Sequence, residues 1–307
     1  LNLARYNKHK MPKRSVHFIL NPVSGSGQNK LNIKFIRSVL NTKNYDFRLK
    51  ISQKPGDVCQ LTKLSIQEGA NVIVACGGDG TINQVASQLI STKVKLGIIK
   101  FGSGNGLASH LGIPNELIRA LEVIKNEKAI NIDVGTVNQH YFFSNMSIGV
   151  GARVINHYTD SKKRQFMSYF RAVLKGLLSE PLNMTLDLVI DGYKTTITPL
   201  VLFISNSNEM GYNVSFTPDA SLQDGKLDLV FTEHLSLFQK ILFANQIVFF
   251  KKRRFKKAQY LQAEDILITN KKNEEFLTQL DGESIVVNSN VLRISLKKTA
   301  LSVIVPG

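Results

Sequence analysis

The stretch Val72-Ile-Val-Ala-Cys-Gly-Gly-Asp-Gly-Thr-Ile-Asn-Gln-Val85 decides how the chain is read. Val72 to Cys76 is an apolar run long enough for one buried strand; it stops at Gly77-Gly78-Asp79-Gly80, and Thr81 is placed to cap a helix beginning at Ile82. Strand, glycine turn and helix N-terminus meet at one point. Such a junction gathers unpaired backbone N–H groups where no side chain intrudes, and the helix dipole adds about half a positive charge, so phosphate is a natural guest. Asp79 is the anomaly, because a carboxylate repels phosphate unless Mg²⁺, a proton or a substrate hydroxyl lies between them. The alternative is an ordinary turn carrying a solvated Asp.

The same arrangement recurs on both sides of this segment. Val16 to Leu20 reads as a buried strand running into Asn21-Pro22-Val23-Ser24-Gly25-Ser26-Gly27, followed by a helical pattern from Leu31 to Leu40. This turn has neither the third Gly of a dinucleotide fingerprint nor the first Gly of a Walker A loop. Phe47 to Ile51 (strand), Gly56 to Gly69 (helix) and Leu96 to Ile99 (strand) lead to a third turn, Gly102-Ser103-Gly104-Asn105-Gly106. Strands alternating with helices imply a mainly parallel sheet, whose ligands bind outside the carboxyl ends of the strands. Three glycine turns at one such edge point to a cradle for nucleotide phosphates.

Past a helix at Leu117 to Ile124 the texture becomes β-rich. Strand patterns cover Ile130 to Val137, Tyr141 to Met146, Leu182 to Ile190, Thr195 to Ile204, Leu227 to Phe231, Leu261 to Thr269, Glu275 to Leu280, Ser284 to Val287 and Val291 to Leu296. Helices are expected at Gln165 to Leu178 and Ser236 to Phe250. With 307 residues, two domains are expected: an α/β domain over 15–130 and a β-rich, sandwich-like domain over 131–307, the last strand packing back toward the first domain.

Hydrophobic residues make up 43%, enough for both cores, while Cys59 and Cys76 form neither a disulfide framework nor a metal-ligand spacing, which suits a reducing compartment. No apolar run reaches the length of a membrane span, and the basic start lacks the apolar core of a signal peptide. The expected location is therefore cytoplasmic, at the membrane periphery. A formal charge of +16 implies a polyanionic partner. In Lys251-Lys252-Arg253-Arg254-Phe255-Lys256-Lys257, which follows Phe249 and Phe250, cations stand beside aromatic groups without any RNA-recognition string; this argues against nucleic acid and for an anionic lipid surface. The alternative is a solvated charge run.

Two acidic groups are candidates for chemistry. Gln279-Leu280-Asp281-Gly282-Glu283 sets two carboxylates about a tight turn, which is also a common hairpin signal. Asp219, Asp224 and Asp228 have a spacing that suits either a hard cation or a solvated acidic turn. The histidines are scattered and receive no role.

These residues together resemble the diacylglycerol kinase catalytic family, which includes sphingosine and ceramide kinases and bacterial soluble lipid kinases. The likeness lies in Asn21-Pro-Val-Ser-Gly25, in Gly77-Gly-Asp-Gly-Thr81 with Asn83 and Val85, in Gly102-Ser-Gly-Asn105, in Asp133-Val-Gly135 with Asn145, Ser147 and Gly149, in Asp281-Gly-Glu283, and in the close at Val303 to Pro306. Gly77 to Thr81 alone would also suit a NAD kinase. Lys100 stands where the family has Pro, and Gly102 to Ala108 is closer to the sphingosine kinase form.

The resemblance implies ATP between the domains, Mg²⁺, and a lipid alcohol as acceptor, with diacylglycerol first and a sphingoid base as the alternative. It implies nucleotide contacts from Asn21, Pro22, Ser24, Gly25, Ser52, Gly77, Gly78, Asp79, Gly80, Thr81, Asn83, Gly102, Ser103, Gly104 and Asn105. It also implies a role for Asp79 at Mg²⁺, directly or through water, and a structural Mg²⁺ held by Asp224 and the Lys226 carbonyl. Glu283 is favoured as the base, with Asp79 as the other candidate. The oligomeric state, a homodimer included, is not legible.

Overall fold

The structure, a computed structural model, describes residues 13–25, 31–40, 44–101, 104–151, 153–154, 166–178, 184–211, 214–249 and 254–307. The first half alternates strand and helix: β1 Arg14–Leu20, α1 Ile33–Val39, β2 Tyr45–Ile51, α2 Asp57–Gln67, β3 Val72–Gly77, α3 Asp79–Leu89, β4 Lys95–Lys100, α4 Gly106–His110 and α5 Leu117–Asn126. Strands β2, β1, β3 and β4 lie side by side and all parallel. Every residue of β3 is buried, because one sheet face is covered by α2 and α3 and the other by α1 and α5. A parallel strand covered on both faces needs such a continuous apolar run.

The second half is antiparallel. Its strands are β5 Ala129–Val137, β6 His140–Phe142, β7 Asn145–Gly149, β8 Leu186–Ile190, β9 Tyr193–Ile197, β10 Val201–Ser205, β11 Leu227–Thr232, β12 Gln259–Ala263, β13 Asp265–Asn270, β14 Phe276–Leu280, β15 Glu283–Val287 and β16 Val291–Ile304. One sheet runs β12-β11-β10-β7-β14-β15; the other continues the parallel sheet as β4-β16-β13-β8-β9, with β5 and β6 alongside. Leu188, Ile266 and Leu292 of one sheet meet Ile148, Leu202, Leu229 and Phe276 of the other, which makes a β-sandwich core. Strand β16 pairs with β4 in parallel and with β5 in antiparallel register, so the closing residues join the two halves. The expected fold class, an α/β unit followed by a β-sandwich, is the one observed.

Two helices, α6 Phe166–Leu178 and α7 Leu237–Phe249, pack on each other. With Val201, Phe203 and Phe216 they enclose a separate apolar core that includes Val173, Leu177 and Phe243.

Four local expectations are corrected. Helix α3 begins at Asp79, with extended Gly78 as its N-cap, so Thr81 lies inside the first turn. Tyr141 to Met146 is two strands split at Phe143-Ser144, whose amides are taken by a distant carboxylate and are lost to a ladder. Thr195 to Ile204 breaks before β10, where Pro199 has no N–H to give. Leu261 to Thr269 divides between the two sheets at Glu264; the amides of Glu264 and Asp265 both donate to Asp191, at 3.0 and 2.9 Å.

Candidate active site

The glycine turns stand at the carboxyl ends of three adjacent strands, β1, β3 and β4, and two of them are hydrogen-bonded together. Asn21 N–H donates to the Cys76 carbonyl at 3.0 Å, and its side-chain amide donates to Thr81 Oγ1 at 3.1 Å. Asn21 Oδ1 accepts from the Val23 amide at 3.2 Å, so this one residue shapes the first turn and ties it to α3. Gly25 is left-handed, with φ 68°. Pro22 and Ser24 lie in the same turn. Ser52 closes β2 beside them, buried, with its N–H and hydroxyl both directed at the Leu20 carbonyl. Gly102 and Ser103 lie outside the described residues.

Asp79 is not a solvated turn residue. Its two carboxylate oxygens accept the amides of Asn105 and Gly106 at 2.7 and 2.8 Å, which clamps the third turn to the first turn of α3. The close approach needs small neighbours. A β-carbon on Gly104 would stand 3.0 Å from Asp79 Oδ2, and one on Gly77 would collide with Thr81. Burial pushes the Asp79 carboxyl up to about 7; the two amides pull it down and the Asp281 charge pushes it further up. Lys100 ends β4 opposite Gly77, half-buried, with Asp79 and Glu209 as its charged neighbours. Burial lowers its ammonium, and the two carboxylates oppose that. Neither Lys100 nor Glu209 was singled out as a site residue: their proximity is set by tertiary structure, and no local pattern marks it.

The late acidic motif is both a hairpin and part of this site. Leu280 pairs with Glu283 across Asp281-Gly282, both with positive φ (47° and 85°), the geometry of a tight two-residue turn. Buried Asp281 accepts four hydrogen bonds: from Asn83 Nδ2 and Phe143 N at 2.8 Å, Ser144 N at 2.7 Å and Asn145 N at 3.1 Å. It therefore fastens the hairpin tip to α3 and to the β6–β7 turn. Asn83 also donates to the Tyr141 carbonyl at 3.3 Å, so its amide spans the two halves of the molecule.

Glu283 faces the other way. Its carboxylate lies over Gly80 so closely that a β-carbon there would collide with it, and Gly80 adjoins Asp79. One side of Glu283 is open to solvent; burial of the other raises its carboxyl above the usual range, and the Asp281 charge adds to this. A cavity of about 400 Å³ opens here, lined by Gly80, Asn83, His140, Tyr141, Asp281 and Glu283. The site thus joins the sheet edge that carries the glycine turns to a carboxylate that overhangs it.

Asp281→Asn tests the structural half of this division. Asn tolerates the left-handed backbone but presents one acceptor oxygen and an NH₂ to a ring of N–H donors. We expect a loss of about 2–3 kcal/mol, seen as a fall of roughly 3–5 °C in Tm. An unchanged Tm would mean that the carboxylate does not hold this turn.

The second acidic group behaves differently. Among the described residues, no three acidic or ligating side chains converge as a metal site, so Asp219, Asp224 and Asp228 do not close on one ion. Asp219 pairs with Arg254 at 2.8 Å. Asp228 is buried against Gln262, and burial, with repulsion from Asp224 and Asp219, raises it to about 6. Asp224 is exposed and accepts the Lys226 amide at 3.1 Å.

Of the basic run, Phe250 and Lys251 to Arg253 lie outside the described residues. Phe249 ends α7, and Lys256 and Lys257 are exposed. Arg254 stacks over Tyr260 as well as pairing with Asp219. Phe255 is corrected: it is buried against Phe243, with ring centroids 4.8 Å apart, and does not stand at a surface.

Comparison with known proteins gives this framework its family. The diacylglycerol kinase catalytic domain matches residues 15–137, and the YegS C-terminal NAD kinase beta sandwich-like domain matches residues 144–305. The diacylglycerol kinase of Staphylococcus aureus strain bovine RF122 is 30% identical over 229 residues, 73% of this chain and 72% of that protein. The protein of the same name from strain JH9 is 29% identical over the same shares. A crystal structure of a diacylglycerol kinase from Bacillus anthracis str. Sterne superposes with a TM-score of 0.72 at 18% identity, covering 95% of this chain and 97% of that one, which shows the shared fold. The chain belongs to the diacylglycerol kinase family. It is a phosphotransferase with an alcohol acceptor, a lipid kinase.

Proposed function

We propose that the protein phosphorylates the free hydroxyl of diacylglycerol with ATP, giving phosphatidic acid and ADP. The observation that carries this reading is the Glu283 carboxylate held over Gly80, beside Asp79, at the edge where the glycine turns meet. The name of the curated relatives supports diacylglycerol as the acceptor. The ATP phosphates lie against the turns of Asn21 to Gly25, Gly77 to Thr81 and Gly102 to Asn105, with Ser52 at their flank. Glu283 takes the acceptor's hydroxyl proton, the freed oxygen attacks the γ-phosphorus, and the bond to the bridging oxygen of ADP breaks.

Asp79 suits Mg²⁺. It is a carboxylate held at the N-terminus of α3 where the glycine turns meet, fixed in place by the amides of Asn105 and Gly106. Bound there, Mg²⁺ would neutralise charge on the phosphates. A structural Mg²⁺ at exposed Asp224 and the Lys226 carbonyl is supported by the crowded negative charge that raises Asp228. The lipid comes from an anionic bilayer reached through the cations of residues 251–257, with the protein at the cytoplasmic membrane surface. No helix among the described residues is long and apolar enough to cross a membrane.

A sphingoid base is the second reading, favoured by the form of Gly102 to Ala108. Labelled ATP and Mg²⁺ with diacylglycerol, monoacylglycerol, sphingosine, ceramide and NAD as acceptors tests both. Labelled phosphatidic acid is the expected product; label chiefly on sphingosine would move the assignment to the second reading, and label on NAD would refute both.

A further inference from the structure

Helix α7 is apolar on both its buried and its exposed side, unlike an ordinary surface helix. Phe243 and Ala244 fill its buried side, while Leu237, Phe238, Ile241 and Leu242, at i, i+1, i+4 and i+5, share the opposite side with exposures of 65, 69, 42 and 45%. Leu178 at the end of neighbouring α6 is 49% exposed. Four large apolar side chains on one water-facing stripe are a contiguous patch rather than scattered exposure, and such patches mark contact surfaces.

Charge selects what they contact. The segments 161–179 and 234–263, which contain both helices, hold twelve Lys and Arg and no Asp or Glu. Arg171, Lys175, Lys256 and Lys257 are exposed on or just after the helix pair, while Arg254 beside them is paired with Asp219. In a symmetric pair of copies the same patch faces itself, so like charges would be brought together as the apolar stripe was covered. An anionic bilayer meets both features at once: apolar side chains enter the headgroup boundary while cations stay at the lipid phosphates.

We propose that the outward face of α7, carried by Leu237, Phe238, Ile241 and Leu242, is the element that seats this protein on anionic lipid bilayers. The proposal rests on the lipid-kinase reading and moves its apolar surface contact from Phe249, Phe250 and Phe255 to the outward face of α7. Phe255, within the basic run, is buried with its ring against Phe243 of α7, which keeps Lys256 and Lys257 close to the helix.

The test uses the whole protein and a Phe238→Gln, Leu242→Gln variant; both positions are exposed, so folding should survive, with Tm as the control. Co-sedimentation without ATP is measured on vesicles of phosphatidylglycerol and phosphatidylcholine and on phosphatidylcholine alone. The variant should bind anionic vesicles at least tenfold more weakly at equal Tm, the wild type should bind neutral vesicles poorly, and turnover on a dissolved short-chain diacylglycerol should match in both. Equal vesicle binding by variant and wild type would overturn the proposal. So would a wild-type dimer that the variant dissociates, since the patch would then belong to a second copy. Binding is read without catalysis, so a wild type inert toward every lipid acceptor would refute the kinase reading while the vesicle result still judged the docking face.

Discussion

Asp79→Asn is expected to lower kcat for phosphoryl transfer by about 10²–10³-fold, the scale for removing one preorganised charged group from a reaction centre. Asn copies the outline of Asp79 but has one acceptor oxygen where the native side chain gives one each to Asn105 and Gly106. Its NH₂ would face one of those N–H groups, so the third turn loosens as the charge at the phosphate site disappears. Circular dichroism should stay near native while turnover collapses. Near-normal activity at saturating Mg²⁺ would show that neither the charge nor the clamp matters to the reaction.

The pH dependence follows from the same residue. With its carboxyl pushed up to about 7, Asp79 gains a proton as pH falls through that value and can no longer accept both amides. In the free enzyme kcat/KM should therefore fall on the acid side of about 7, and the limb should vanish in Asp79→Asn. Stability runs the opposite way. The folded value lies above the ordinary 3.8, so ionised Asp79 costs stability, a cost that grows from pH 3.8 to about 7.

Glu283→Gln is expected to lower kcat by about 10²- to 10⁴-fold with little change in KM for ATP, because a positioned base acts on the acceptor. The raised carboxyl improves Glu283 as a proton acceptor near neutral pH, and Gln keeps the size that fits over Gly80. Gly80→Ala approaches the same contact from the other side: its methyl group would displace the Glu283 carboxylate, so it should imitate Glu283→Gln while leaving the carboxylate in the protein. A loss in Glu283→Gln explained wholly by a lower Tm would make Glu283 a hairpin residue only. That outcome is expected of Asp281→Asn, and the contrast between neighbouring carboxylates separates positioning from holding.

The strand-turn-helix at Val72 to Val85 was legible because its signal is local: a fully apolar run, then glycines, then a helical pattern. The helix start was misplaced by three residues because Gly78 caps by backbone conformation, without the side chain that marks most caps. The sandwich was legible as strands, but not where they break. The interruption at Phe143-Ser144 follows from Asp281 taking their amides and Asn206 their carbonyls, and the crossing at Glu264 from Asp191, all distant in sequence. Pro199 is a visible signal of the break before β10. The meeting of Glu283 with Gly80 depends on β14 pairing with β7 and on Asp281 gripping Asn83, contacts that no sequence period encodes. The apolar residues of α7 look like any core helix in sequence; that four of them face water is decided by Phe243 and Ala244 filling the inner side.

The proposed reaction moves a phosphoryl group from ATP to diacylglycerol beside Asp79 and Glu283. Single-turnover transfer of label from ATP to diacylglycerol in mixed micelles, with ATP affinity measured on the same samples, tests it in wild type and Glu283→Gln. Labelled phosphatidic acid should form in the wild type and at least about a hundredfold more slowly in the variant, at equal ATP affinity. Equal rates in the two proteins, or no label on diacylglycerol from the wild type, would contradict it.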